Sequence, residues 1–310
     1  MSAPTGLPFQ VGARLGGGAY ADVWAVDSKK AVLKLALKQP RSGEGVTGGT
    51  FFARGFQFAT GSTSAWSPTP TEVLAAELRT LAPLAHPAFL APIEVGELEG
   101  RQWALFPRVD GVTWRESLKT PKGPTLKHVQ QLVAALADLQ DSGKLLWHGD
   151  LKPENLMLTG AGALKVLDPS SGASERDLSG RIAALITTDW YNPAYQASDV
   201  FSVGLITVEV LTGKHCLLAA PLERQAVPRD TGLKLVGWLQ AAKVTGRASR
   251  LLQRITTMPL PRELDAALSP QLEAFALRCM GLARTDKGLD AVEPYLTMRE
   301  VAQALALLVR

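Results

Sequence analysis

Residues 147–168 read WHGDLKPENLMLTGAGALKVLD. The stretch holds a carboxylate (Asp150), a lysine two residues on (Lys152), an amide (Asn155) and a second carboxylate (Asp168). Two short apolar runs, LML and LKVL, flank the turn signal TGAG, which is the pattern of a β-hairpin. Such a hairpin carries Asp168 back beside the loop that holds Asp150 and Asn155. An acid and an amide then face one point, and those oxygens suit Mg²⁺, which keeps several waters and takes one or two protein ligands beside phosphates. Asp150 is left to accept a proton from an attacking hydroxyl, and Lys152 can offset charge on a transferring phosphoryl group.

Composition bounds the setting. At 310 residues the chain can bury a large core, as one two-lobed unit or two domains. It is 46% hydrophobic and 20% charged, ordinary for a soluble globular protein. The net charge of +4 is mild and its basic residues are scattered, so no nucleic-acid partner is expected. The first ten residues lack a basic region and an apolar run, and no segment has the length of a membrane span, so a cytoplasmic location without a membrane partner is expected. Cys216 and Cys279 lie far apart without metal-ligand spacing and read as reduced, buried thiols.

Working outward toward the N-terminus, FQVGARLGG, ADVWAVD and AVLKLALK read as three strands. The first turn contains Gly16, Gly17 and Gly18, small residues that let backbone N–H groups close over phosphates. A Gly-rich hairpin alone carries little weight. Lys34 lies in the third strand among Val32, Leu33 and Leu35. Residues 69–82 begin with TPTE, a capping box with Thr69 as N-cap, Pro70 at the first helical position and Glu72 at the third. Val73, Leu74, Leu78 and Leu81 then form an apolar stripe, Glu77 sits mid-helix, and Pro83 ends the helix. The segment of about 39–68 is rich in Gly, Ser and Thr yet carries Phe51, Phe52, Phe56, Phe58 and Trp66. It is expected to be a small ordered flap turning at Arg54-Gly55, set over the nucleotide or against a regulatory partner. PIEVGEL and QWALFP read as strands turning at Glu99-Gly100.

Toward the C-terminus, Thr125–Asp141 is an amphipathic helix ended by Gly143. Residues 198–212, SDVFSVGLITVEVLT, are apolar on nearly every face and should form a buried helix. Residues 214–310 read as mostly helical, with a last helix near Thr297–Leu308.

The order HxDxKxxN followed by a lone Asp resembles the protein-kinase catalytic loop and its DFG-type Asp. The resemblance covers essentially the whole chain. It implies an α+β, bilobal protein-kinase-like fold, with residues 1–108 as a small antiparallel β-sheet lobe carrying one key helix and 109–310 as a larger, mainly α-helical lobe. By resemblance Lys34, held by Glu77, meets the α- and β-phosphates of ATP, while Asn155 and Asp168 hold Mg²⁺. Phe106 becomes the gatekeeper, and adenine meets the carbonyl of Pro107 and the N–H of Val109, sandwiched by Val23, Val32 and Met157. Asp150 and Lys152 become the catalytic pair, Asp199 holds the backbone of their loop, and Thr188 helps to position it.

This sequence departs from the family in several places. Gly149 replaces the arginine through which a phosphorylated activation loop acts, and DFG is DPS (Asp168, Pro169, Ser170). The third glycine of the phosphate loop is Ala21, and Tyr195 and Tyr295 stand where a Glu–Arg ion pair is usual. Pro169 and Ser170 disfavour a backbone flip, so Asp168 is expected to face the nucleotide site with or without nucleotide. The leading expectation is an ATP- and Mg²⁺-dependent, bacterial eukaryotic-like Ser/Thr protein kinase whose protein substrates include itself. DPS and the missing ion pair motivate a regulatory pseudokinase as an alternative. HGD, together with a shortened link from Tyr195 to Asp199, motivates a small-molecule kinase of the aminoglycoside type.

Overall fold

The computed structural model describes residues 3–18, 20–40, 69–118, 120–169, 191, 198–238, 247–286 and 288–309. The aromatic insertion (41–68), the segment holding Thr188 (170–190) and Tyr195 lie outside these residues.

Five antiparallel strands open the chain: β1 (Arg14–Gly17), β2 (Ala21–Val26), β3 (Ala31–Ala36), β4 (Glu94–Leu98) and β5 (Arg101–Pro107). They lie in the order β1-β2-β3-β5-β4. The β4–β5 turn is Glu99-Gly100, both at positive φ (51° and 74°), a two-residue turn whose twist matches its strands. Alternation along the strands gives the sheet two faces. Trp24, Val26, Leu33, Leu35, Trp103 and Leu105 form one apolar face, covered by Leu7, Phe9 and Val11. Phe9 meets Trp103 edge-on at 5.4 Å. Each such fully buried side chain contributes about 1.5–3 kcal/mol. The other face carries Val23, Val32, Lys34, Ala104 and Phe106, paired across neighbouring strands. The first strand is shorter than the alternation of FQVGARLGG indicates, because residues 7–11 serve as this cover instead.

Helix α1 (Pro70–Leu81) starts where TPTE places it. Thr69 Oγ1 accepts from Glu72 N at 3.2 Å, and Glu72 Oε2 accepts from Thr69 N at 2.7 Å. This reciprocal cap is worth about 1 kcal/mol and fixes the register that sets Glu77 on its face.

The second lobe opens with β6 (Gly111–Thr113), α2 (Trp114–Ser117) and α3 (Leu126–Asp141), then β7 (Leu156–Thr159) and β8 (Leu164–Val166). Strands β6, β7 and β8 form a small sheet in that order. Helix α4 (Ser198–Thr212) runs through the middle, buried at most positions. Gly204 lets α4 approach α8 (Pro270–Cys279), since a Cβ there would lie 2.8 Å from Cys279 Cβ. Around them pack α5 (Arg229–Trp238), α6 (Arg247–Thr257), α7 (Pro261–Leu264) and α9 (Met298–Leu308). Among the described residues, the reading of 214–310 as mostly helical misses the hairpin of β9 (Leu282–Thr285) and β10 (Gly288–Ala291), anchored by buried Leu282 and Leu289.

At the two positions where the family places its buried ion pair, only Tyr295 is described. It packs against Phe275 and under the Arg278 guanidinium, 4.6 Å from the ring centre. Nearby, buried Glu273 accepts from Arg284 Nε (2.8 Å) and from Arg262 N (3.1 Å). Cys216 and Cys279 are free and buried, and burial pushes the Cys216 thiol up to about 12. Among the described residues no helix is long and apolar enough to cross a membrane.

Candidate active site

The loop at 148–155 is held from below. Asp199, at the start of α4 and 1% exposed, accepts from the backbone N–H groups of both His148 and Gly149. Gly149 takes φ +81°, a conformation that costs a residue with a Cβ about 1–2 kcal/mol. Inside the loop, His148 Nδ1 accepts from Asp150 N at 3.3 Å, so its proton sits on Nε2, which donates to Leu167 O at 2.9 Å. Burial lowers the pKa of this ring, which is neutral. His148 thus ties the loop to the residue before Asp168, a positioning role that the HxD spacing alone does not reveal.

Asp150 is buried and accepts from Lys152 Nζ at 2.6 Å and from Asn155 Nδ2 at 3.0 Å. Asn155 Nδ2 also donates to Asp150 O at 2.8 Å. The amide nitrogen is spent on Asp150, which leaves the amide oxygen as the group to meet a cation. The β7–β8 hairpin brings Asp168 to the same cleft, as the LML and LKVL runs indicate.

Lys34 stands at the centre of the cleft. Its Nζ lies 2.8 and 2.7 Å from the two carboxylate oxygens of Glu77 and 2.7 Å from Asp168 Oδ1. Two carboxyls share one ammonium. Burial works against the charged lysine, but Asp168 and Glu77 outweigh it and hold Lys34 protonated. Burial pushes Glu77 up to about 7, only partly opposed by Lys34. For Asp168 the attraction of Lys34 wins over burial, and its pKa falls below the usual carboxylate range.

Asp168 takes φ +50° immediately before Pro169. Positive φ is uncommon for a residue with a Cβ, and a following proline favours extended backbone, so this conformation stores about 1–3 kcal/mol. The ion pair to Lys34 helps to offset that cost. Asp168 is thus held against Lys34 in a conformation that the following proline does not favour, and Ser170 lies outside the described residues.

The Gly-rich turn closes with Gly18 N donating to Ala21 O at 2.9 Å. At Gly16 and Gly18 an added Cβ would meet nothing within 4 Å, so packing does not require glycine there. Arg14 clamps the base of the turn through Asp22, with contacts of 2.7 and 2.9 Å. Half-buried Val23 and Val32 share a sheet face with Lys34, and half-buried Met157 comes from β7 of the other lobe. At the hinge Leu105 O accepts from Ile93 N across to the β4 side. Pro107, two residues on, points its carbonyl the same way, past the end of β4. Val109 follows, half-buried, and Arg108 N is taken by Lys30 O at 3.0 Å.

Comparison with solved structures decides the fold. The chain aligns over 98% of its length with 99% of the apo form of PpkA-294, at a TM-score of 0.57 and 16% identity. It aligns over 99% of both chains with the Mycobacterium tuberculosis PknI kinase domain, at a TM-score of 0.53 and 18% identity.

The chain has the protein-kinase fold.

Among curated proteins, this kinase-fold chain is 32% identical over 157 residues to Serine/threonine-protein kinase PknB of Mycobacterium tuberculosis (strain H37Ra). The match covers 44% of this chain and 25% of that protein. Over 152 residues it is 25% identical to PrkC of Bacillus subtilis (strain 168), covering 44% of this chain and 23% of the relative. The match thus spans about a quarter of the length of these relatives. No protein-family profile matches the chain.

One cluster beside the kinase-fold site is missing from the sequence reading. Arg115, on α2, donates through Nε to Glu154 Oε1 at 2.7 Å and also bonds Glu209 and the Tyr191 hydroxyl. Tyr191 in turn donates to Glu209, and its ring meets His215 edge-on at 4.5 Å. Glu154 lies between Pro153 and Asn155, so the cluster ties the catalytic loop to α4. Burial penalises the guanidinium, yet Glu154, Tyr191 and Glu209 keep Arg115 charged. Glu209, a lone acid late in an apolar helix, is the available sequence signal: a buried carboxylate needs a partner. The partner itself lies 94 residues away.

Proposed function

We propose that this chain is a bacterial eukaryotic-like Ser/Thr protein kinase that transfers the γ-phosphoryl group of ATP to a protein hydroxyl, its own included. The observation that carries the reading is Lys34 between Glu77 and Asp168, with Asp150, Lys152 and Asn155 gathered beside it. This arrangement fits a nucleotide with a divalent cation. Among the described residues no three His, Cys, Asp or Glu side chains converge as a cation cage. A cation at Asn155 and Asp168 would therefore complete its shell with phosphate oxygens and water, as Mg²⁺ does. When bound, Mg²⁺ supplies neutralisation of charge on the phosphate oxygens.

The chain's own groups then divide the work. Lys34 holds the α- and β-phosphates, and the adenine edge meets Pro107 O and Val109 N–H between Val23, Val32 and Met157. The substrate hydroxyl oxygen forms a bond to the γ-phosphorus, its proton passes to Asp150, and the bond to the bridging oxygen breaks, releasing ADP. Lys152 offsets the charge that spreads over the transferring group. Gly149 has no side chain to grip a phosphate, so activity does not wait on phosphorylation within 170–188. The test is incubation with γ-labelled ATP and Mg²⁺, with and without a generic protein acceptor. Label on serine or threonine supports the reading. Turnover that requires a metabolite from cell extract, or nucleotide binding without turnover, would contradict it.

A further inference from the structure

Helix α1 presents two apolar surfaces. One, through Leu78 and Leu81, joins the main core. The other, Val73 and Ala76, stands apart from both large clusters, with Val73 8% and Ala76 1% exposed. Among the described residues its apolar partner is Tyr20, which comes from the Gly-rich turn. Val73 and Ala76 lie three residues apart on one helix face, and Ala76 directly precedes Glu77. The backbone of Tyr20 is fixed, because its carbonyl accepts from Leu37 N at 2.9 Å and the neighbouring turn closes through Gly18 and Ala21. Burial also raises the pKa of its phenol, so the hydroxyl stays protonated and the ring acts as an apolar contact.

We infer that Tyr20 is a positioning residue for phosphoryl transfer. Its ring ties the Glu77 helix to the Gly-rich turn, so that seating phosphates under the turn and closing Glu77 on Lys34 become one event. The inference rests on the kinase reading for its functional consequence, but the tie itself is a packing contact that can be tested without turnover. Losing the ring leaves Val73 and Ala76 without that cover and lets the first turns of α1 open more often.

Hydrogen exchange and steady-state kinetics on the full chain test this with Tyr20→Ala and Tyr20→Phe. In Tyr20→Ala the amides of residues 70–81 should exchange about tenfold faster without nucleotide, while those of α3 and α4 keep wild-type rates. ATP turnover should fall about tenfold in kcat, and Tyr20→Phe should restore both readouts because it keeps the ring. Val73→Ser should reproduce the effect, and the double variant Tyr20→Ala/Val73→Ser should be no worse than either single change. Unchanged exchange at 70–81 in Tyr20→Ala, a Tyr20→Phe variant as impaired as Tyr20→Ala, or fully additive effects would overturn the inference. A wild-type chain that never turns over ATP would defeat the kinase reading, whereas the exchange result decides the tie in either case.

Discussion

Glu77→Gln isolates the carboxyl that burial moves into the working pH range. With Glu77 pushed up to about 7, roughly one molecule in ten carries it ionised at pH 6. The population in which a charged Glu77 grips Lys34 then falls about tenfold per pH unit below 7. Accordingly, kcat/KM for ATP should rise with unit slope through pH 5.5–7 and level above it. Glu77→Gln keeps the shape and removes the charge, so its profile should lose this limb and stay low. Stability moves the other way. The folded carboxyl binds its proton more tightly than the unfolded one, whose ordinary value is 4.5. Glu77 therefore contributes stability that is full below about 4.5 and lost as the pH rises through about 7, about 3 kcal/mol in all. His128, His148 and His215 contribute the opposite slope below about 6.5, because burial lowers each of them and the unfolded chain takes up their protons. The diagnostic quantity is the urea stability of wild type minus that of Glu77→Gln, which should fall by about 3 kcal/mol as the pH rises from 4.5 to 7. A wild-type rate flat down to pH 5.5, or the same acid limb in Glu77→Gln, would refute the reasoning.

Three further outcomes follow from the same geometry. Asp168→Asn should abolish Mg²⁺-dependent nucleotide binding, read by titrating a fluorescent nucleotide with and without the metal; unaltered binding would remove Asp168 from the metal site. Arg115→Ala removes the guanidinium from Glu154 and Glu209 while Tyr191 still donates to Glu209, and should cost about 1–3 kcal/mol in urea unfolding, whereas no measurable loss would show that the cluster carries little. Phosphatase treatment should leave ATP turnover unchanged because Gly149 offers no cation, and a silenced protein would contradict this.

What the sequence discloses about this chain follows from how local each signal is. The β7–β8 hairpin is legible because two apolar runs and a Gly turn lie within twelve residues, and α1 because its capping box is a four-residue pattern. The trio of Lys34, Glu77 and Asp168 became legible only through the family order of the motifs, since its members lie 43 and 134 residues from Lys34. Arg115 had no such guide: it sits on a four-residue helix, and its partners arrive from the catalytic loop, from residue 191 and from α4. The β9–β10 hairpin was masked by its helical surroundings, although TDKG at 285–288 is a turn signal. Tyr20, just past the Gly-rich turn, carries no local signal of its packing on Val73 and Ala76, which lie more than fifty residues away.

The most direct test of the central claim compares wild type with Asp150→Asn for transfer from γ-labelled ATP, followed by phosphoamino-acid analysis of the products. Asp150→Asn keeps the size of a buried side chain that Lys152 and Asn155 surround, but it cannot take the hydroxyl proton. The account predicts phosphoserine or phosphothreonine from wild type, a rate about 10²–10⁴-fold lower in the variant, and nucleotide affinity retained. Equal rates in the two proteins, or no hydroxyl-linked phosphate from wild type, would contradict it.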